Sequence, residues 1–286
     1  MTLNEKKELQ LFALTVREDI LKSTTAAGSG HPGGSLSAAD YLTYLYNKEM
    51  KINPQNPKDP NRDRFVLSKG HSAPALYAVL AHKGFFPVED LMTLRQIGSH
   101  LQGHPNMNST AGVDMSTGSL GQGLSVAAGM AKGAKYLKLN VNVYTLCGDG
   151  ELAEGEIWEG LMFAAHYQLD NLCIAVDVNR LQIDGETKDV MNSEPLDKKF
   201  EAFGCNVIKI DGHDFNDIES ALEFFHKNHG SGKPTAILMD TIKGKGVSFM
   251  EDVADWHGKA ANKEQLAQAL AELEQKRNDL LAESYW

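Results

Sequence analysis

Apolar residues recur at helical spacing near the start of the chain, at Leu9, Phe12, Val16 and Ile20. This spacing predicts an amphipathic helix over residues 3–25. The stretch Ala26-Ala27-Gly28-Ser29-Gly30 stops it. A second helix is predicted from about Ser35, with Leu36, Ala39, Leu42 and Leu45 on one face. A polar loop rich in Pro and Asn follows, then a short strand at 65–68. Pro74 opens another helix from a first-turn position. From residue 142 the pattern changes. Near-continuous apolar runs at 142–147, 172–178, 206–210 and 235–241 read as strands buried on both faces. Helical patterns at 157–167, 196–203 and 218–226 lie between them. This alternation predicts an α/β fold: a central, mostly parallel sheet with helices on both faces and right-handed crossovers. The segment from Asn262 predicts one surface helix. No repeat or long linker divides the chain, so residues 1–286 are expected to form one domain.

Composition narrows the class of partner. Of 286 residues, 42% are hydrophobic, enough for a large core. A net charge of −10 argues against a nucleic-acid partner, which needs a basic face. Cys147, Cys173 and Cys205 all lie in apolar runs and form no CxxC pair, so buried reduced thiols are expected. The charged N-terminus is no signal peptide, and no apolar stretch reaches the ~20 residues of a membrane span. A cytoplasmic enzyme is the expectation.

The chemistry starts at Gly148-Asp149-Gly150, directly after a strand. The next strand ends at Asn179, 179 − 149 = 30 residues on, about one strand–helix–strand unit. Asp149 and Asn179 should therefore share the carboxyl edge of a parallel sheet, where ligands bind. A carboxylate and a carboxamide oxygen are hard ligands, suited to Mg²⁺ or Ca²⁺ and not to zinc. Mg²⁺ commonly completes its shell from phosphates, so a metal-bridged diphosphate fits. The flanking glycines let the backbone approach anionic oxygens. A lone GDG is an ordinary turn, and the spacing to Asn179 is what gives it meaning. No GxGxxG follows a strand and no GxxxxGK[ST] occurs.

Further segments are more specific. Gly148-Asp149-Gly150 through Asn179 resembles the thiamine-diphosphate motif. Gly30-His31-Pro32-Gly33-Gly34, Lys69-Gly70-His71, Gly103-His104-Pro105, Thr117-Gly118-Ser119-Leu120-Gly121 and Trp256-His257-Gly258 resemble transketolase segments, in transketolase order and across nearly the whole chain. A full transketolase is more than twice as long, so the chain resembles the N-terminal, diphosphate-binding subunit of a split transketolase.

The resemblance implies thiamine diphosphate and Mg²⁺ as cofactors, with Ca²⁺ or Mn²⁺ able to substitute. It implies Asp149, Asn179 and the Leu181 carbonyl as metal ligands. It brings Lys69, His71, Lys243 and His257 to the diphosphate, with the Gly150 N–H. Gly118 and Leu120 would support the cofactor rings. His31, His104 and His257 would serve the substrate, with His257 or His31 as base for a hydroxyl proton. Glu154 and Glu159 would lie at a contact linking two sites, or be ordinary first-turn acids. The implied activity is transfer of a two-carbon ketol unit from a ketose phosphate to an aldose phosphate through a thiamine-diphosphate carbanion. The implied partner is a C-terminal, pyrimidine-binding subunit in an α2β2 assembly, supplying the glutamate the cofactor needs. Three readings stay open: a subunit of another thiamine-diphosphate enzyme (2-oxo acid dehydrogenase E1 α or deoxyxylulose-phosphate synthase), a non-catalytic binding subunit, or a transketolase for a branched or sulfonated sugar. His82, His166, His226 and His229 read as structural, and His213 as a turn residue.

Overall fold

A computed structural model of the chain describes residues 1–283. Helix α1 (Leu3–Ala27) begins with a reciprocal cap between Thr2 and Glu5 and ends at Gly28, whose φ of 60° closes the last turn. Helix α2 (Pro32–Tyr44) starts three residues before the apolar pattern does. Pro32 fits the first turn, where no amide hydrogen is required. Every residue of α2 is buried, and a π turn over Leu45–Glu49 extends it. Strand β1 (Arg64–Leu67) leads to α3 (Ala73–His82).

Helix α4 (Gln122–Tyr136) is the longest element that the sequence pattern did not predict. Its buried Leu124, Ala127, Ala128 and Ala131 fall at helical spacing, but alanines are weak markers of a core face. It forms because Leu124, Ala127, Ala128 and Ala131 pack into the core. Then come β2 (Val143–Gly148), α5 (Gly155–His166) and β3 (Leu172–Val178). A two-stranded hairpin follows, β4 (Leu181–Gln182) with β5 (Gly185–Glu186), and one turn of helix α6 (Thr187–Val190). The chain continues through α7 (Leu196–Ala202), β6 (Asn206–Asp211), α8 (Phe215–Lys227) and β7 (Thr235–Asp240). Helix α9 (Lys263–Ala282) is capped by Asn262 and buries Ala269 and Leu273.

The five long strands are all parallel, in the order β1-β2-β3-β7-β6. Alternate residues face opposite layers. Cys173 and Ala175 join the core formed with α1, α2, α3 and α8, while Leu172, Ile174 and Val176 join that of α4, α5 and α7. The chain steps outward from β1 to β2 to β3, passes to the edge at β6, and returns to β7. Helices α4, α5 and α7 of the outward connections lie on one face, and α3 and the returning α8 lie on the other. The expected parallel sheet with helices on both faces is thus what forms. All three cysteines are buried free thiols. Among the described residues, no helix is long and apolar enough to cross a membrane.

Candidate active site

The carboxyl ends of β1, β2, β3 and β7 release, in turn, Lys69 and His71, Asp149, Asn179 and Leu181, and Lys243. Parallel pairing sets Gly148 beside Asp177, which brings the tips of β2 and β3 level. The Asp149 N–H donates to the Asp177 carbonyl at 3.2 Å, and the Arg180 N–H donates to Asp149 Oδ2 at 2.5 Å. The two predicted metal-ligand side chains therefore do share one sheet edge. Both are buried, Asp149 at 4% exposure and Asn179 at 5%.

Asp149 accepts only two backbone N–H groups within the described residues, from Arg180 and, at 2.8 Å, from Gly150. Burial and then the charge of Asp177 push its carboxyl up to about 6. It makes no ion pair among the described residues. The Gly150 N–H, expected to face a diphosphate, instead donates to Asp149. Asn179 Oδ1 accepts from the Leu181 N–H at 3.1 Å, and the Leu181 carbonyl accepts from Lys243 Nζ at 3.0 Å. No cluster of three or more His, Cys, Asp or Glu gathers here among the described residues. One carboxylate and two neutral oxygens form a sparse hard donor set. Such a set fits a Mg²⁺ ion that takes its other oxygens from a diphosphate.

The residue that sequence reasoning missed is Asp177. Its carboxylate is fully buried on β3 and accepts from Lys69 Nζ, Thr241 Oγ1, Ser37 Oγ at 2.6 Å and Asn179 Nδ2 at 3.2 Å. Burial alone would raise it. The Lys69 ammonium and the surrounding donors hold it below the usual carboxylate range instead. The signal was present: an acid inside the apolar run Leu172–Val178 must find partners. Lys69, expected at the diphosphate, is held by Asp177 and by the Gly34 carbonyl at 3.1 Å. Glu151 was missed too. It is buried and accepts from Ser68 Oγ at 2.5 Å, the Gly121 N–H at 2.9 Å and the Gly148 N–H at 3.0 Å, tying three loops together.

Four histidines from four separate segments converge over this floor. Ring centroids lie 5.5 Å apart for His31 and His71, 6.0 Å for His31 and His104, 5.4 Å for His31 and His257, and 5.0 Å for His71 and His257. The glycines of Gly33-Gly34 make the approach possible. A Cβ on Gly33 would stand 2.8 Å from the Trp256 carbonyl, and one on Gly34 would stand 3.3 Å from His71 Nε2. Gly118, at φ 136°, leaves room for the His104 ring, which a Cβ would meet at 2.8 Å.

All four imidazoles are kept neutral at ordinary pH. Burial, then Arg95, His104 and Lys243, push His31 down to about 4. Burial, then Lys243 and its neighbours, push His257 down to about 3. Burial and Lys69 lower His71, and burial and Arg95 lower His104. The buried Lys243 is itself lowered to about 8, first by burial and then by Lys69.

Neighbouring cations fix two tautomers. His257 Nδ1 lies 3.1 Å from Lys243 Nζ, and His31 Nδ1 lies 3.4 Å from an Arg95 guanidinium nitrogen. The Arg95 guanidinium can only donate, and so does the Lys243 ammonium, so both Nδ1 atoms accept and both Nε2 atoms carry hydrogen. In this arrangement His31 and His257 present Nε2–H as a hydrogen-bond donor. Leu120 is 38% exposed. Glu154 and Glu159 are exposed, and their side chains make no hydrogen bond or ion pair among the described residues. Of the histidines set aside as structural, His82 pairs with Asp19 at 2.6 Å and His226 with Glu49 at 2.6 Å. His213 is more than a turn residue. Its ring reaches Asp40 and the Ile242 N–H.

A family model described as "Transketolase, thiamine diphosphate binding domain" matches residues 10–279. The chain belongs to the transketolase family. It carries that family's thiamine-diphosphate-binding domain. It is 48% identical to a Clostridium sp. (strain MSTE9) protein named "6-deoxy-6-sulfo-D-fructose transketolase subunit SqwG", over 93% of this chain and 96% of that one. It is 45% identical to the transketolase of Pongo abelii over 90% of this chain, which spans only 41% of that relative. The crystal structure of Campylobacter jejuni transketolase superposes with a TM-score of 0.89 at 35% identity, covering 96% of this chain and 43% of that one. The chain therefore spans under half of the single-chain transketolases it matches and nearly all of the relative named as a subunit.

Proposed function

We propose that this chain is the diphosphate-binding subunit of a two-chain transketolase, moving a two-carbon ketol unit from a ketose phosphate to an aldose phosphate. One observation carries the reading: the chain matches the subunit relative over 96% of that relative's length, and single-chain transketolases over less than half of theirs. The partner is a C-terminal subunit bearing the pyrimidine side of the site, and α2β2 is the assembly this predicts.

Asp149, Asn179 and the Leu181 carbonyl would hold Mg²⁺ against the diphosphate. The charge of Asp149, so far answered only by two amides, gains a counter-ion on loading. Lys69, already locked to Asp177, adds fixed positive potential beneath the phosphates. Lys243 and His71 reach toward them, with His257 donating from Nε2. Gly118 and Leu120 offer the surface on which rings rest. When bound, thiamine diphosphate supplies the nucleophilic carbon that carries the two-carbon unit. His31 and His257 would orient substrate oxygens by donating from Nε2. His104, at the mouth of the site, would take a hydroxyl of the donor. The donor's far end lies outside these residues, so a sulfonated ketose, as in the name of the Clostridium relative, stands beside the ordinary ketose phosphates.

Reconstitution is the test. The purified chain is mixed with its partner, thiamine diphosphate and Mg²⁺, and supplied with xylulose 5-phosphate or 6-deoxy-6-sulfofructose and an aldose phosphate acceptor. Ketol transfer that needs all components is expected. Turnover of pyruvate, or silence in a complex that forms and binds cofactor, would overturn the proposal.

A further inference from the structure

We propose that Arg17, Asp40 and His213 are positioning residues that set Lys243 over the cofactor floor by gripping its loop on both sides. The inference rests on the reading of Lys243 as a diphosphate contact. Lys243 sits in the loop Thr241-Ile242-Lys243-Gly244-Lys245-Gly246 after β7. On one side of it, the Ile242 N–H donates to His213 Nε2 at 2.9 Å. On the other, the Lys245 carbonyl accepts from Arg17 Nε at 3.0 Å. These two grips are joined beneath the loop by one carboxylate. Asp40 accepts both terminal nitrogens of Arg17, at 3.0 and 2.6 Å, and His213 Nδ1 lies 2.7 Å from its Oδ2.

The triad draws on three distant parts of the fold: Arg17 from α1, Asp40 from α2, and His213 from the turn after β6. All three side chains are largely buried, at 6%, 7% and 11% exposure. Bonding fixes the roles within it. A backbone amide can only donate, so His213 Nε2 is bare and Nδ1–H donates to Asp40. Buried ion pairs add little net stability compared with apolar packing, so stability alone does not account for this one. What it does geometrically is hold residues 242 and 245 while residue 243 reaches into the site. There the Lys243 ammonium meets the Leu181 carbonyl and His257, the residue being 1% exposed. The Gly244 N–H to the Gly33 carbonyl at 3.0 Å anchors the loop to α2, the helix that also carries Asp40.

The experiment is a double-mutant cycle on the full chain. The dissociation constant for thiamine diphosphate with Mg²⁺ is measured by calorimetry, with the partner subunit present if the chain needs it. Four proteins are compared: wild type, His213→Ala, Lys243→Ala and the double variant. If His213 acts through Lys243, His213→Ala weakens binding about tenfold alone and less than about twofold once Lys243 is gone. His213→Gln keeps an acceptor for the Ile242 amide and should recover binding to within about threefold of wild type. An equal loss in both backgrounds would overturn the proposal in favour of general loosening. Hydrogen exchange of the 242–247 amides reads the grip without cofactor. Exchange at Ile242 that is no faster in His213→Ala than in wild type would also overturn it. Unchanged binding in Lys243→Ala, with Ile242 still protected by His213, would instead refute the reading of Lys243.

Discussion

Asp177 and Asp149 stand one strand apart at the same sheet edge, both nearly removed from water, yet their surroundings are opposite. Asp177 has an ammonium, two hydroxyls and a carboxamide on it and is held ionised below its ordinary range. Asp149 has two amides, no ion pair among the described residues, and a carboxyl pushed up to about 6 by burial and by Asp177 itself. A saturated buried carboxylate is scaffold. An unsaturated one beside a cleft is where a ligand's positive charge belongs. The contrast separates what holds the site together from what the site is for.

The largest expected effect tests the scaffold half. Asp177→Ala strands the Lys69 ammonium inside the protein, and breaking a buried pair this way costs about 3–5 kcal/mol. Denaturant unfolding of the apo chain should show that loss. Asp149→Ala removes a carboxylate that makes no ion pair among the described residues and should cost less than half as much. Equal losses from the two variants would erase the distinction.

The sequence exposed Asp149 and hid Asp177 for a physical reason. Asp149 lies between glycines at a strand end, and Asn179 follows at the spacing of one crossover, so both are legible from local pattern. Asp177 gains its meaning only from Lys69, Ser37 and Thr241, which come from three other segments. Strands and the outer helices were legible because their apolar periods are strong. Helix α4 was not, because its helical period is carried mainly by alanines, which mark a core face only weakly, and its helicity is set by packing. The four histidines were brought to the site only by the transketolase resemblance, and their tautomers were not legible at all. Those depend on Arg95 and Lys243 facing particular ring nitrogens.

Next in size is the ligand half of the contrast. Thiamine diphosphate with Mg²⁺ at about a hundred times its dissociation constant should stabilise the wild type by about 2.7 kcal/mol, seen as a raised Tm. In Asp149→Ala that Mg²⁺-dependent rise should vanish while the apo protein still unfolds cooperatively. A full rise without Asp149 would remove it from the metal site.

The apo chain should also lose stability as pH falls from about 6.5 toward 4. Unfolded histidines take up protons near 6.5, whereas His31 does so only at about 4 and His257 at about 3. Across that window the unfolded state binds more protons, so stability declines with falling pH, by up to about 1.4 kcal/mol per unit of depressed pKa before solvent screening reduces it. Asp149 opposes this, because its raised carboxyl binds a proton more readily in the folded state. Replacing His31 and His257 with Gln should flatten the decline, measured as denaturation midpoint against pH. A decline just as steep in that double variant would place the proton uptake elsewhere.

The smallest effect is the most specific. His104 is exposed at the mouth of the site, with its ring against Gly118 and its carbonyl accepting from the Tyr77 hydroxyl at 3.2 Å. Its backbone bond survives truncation, so His104→Ala should shift stability by no more than about 0.5 kcal/mol. The Mg²⁺-dependent rise in Tm should be unchanged, because the ring belongs to neither carboxylate's surroundings. In the reconstituted enzyme, however, kcat/KM for the ketose donor should fall, while thiamine diphosphate affinity holds. If cofactor affinity falls in parallel, His104 belongs to the cofactor floor. If kcat/KM does not move, the ring faces the site without serving it.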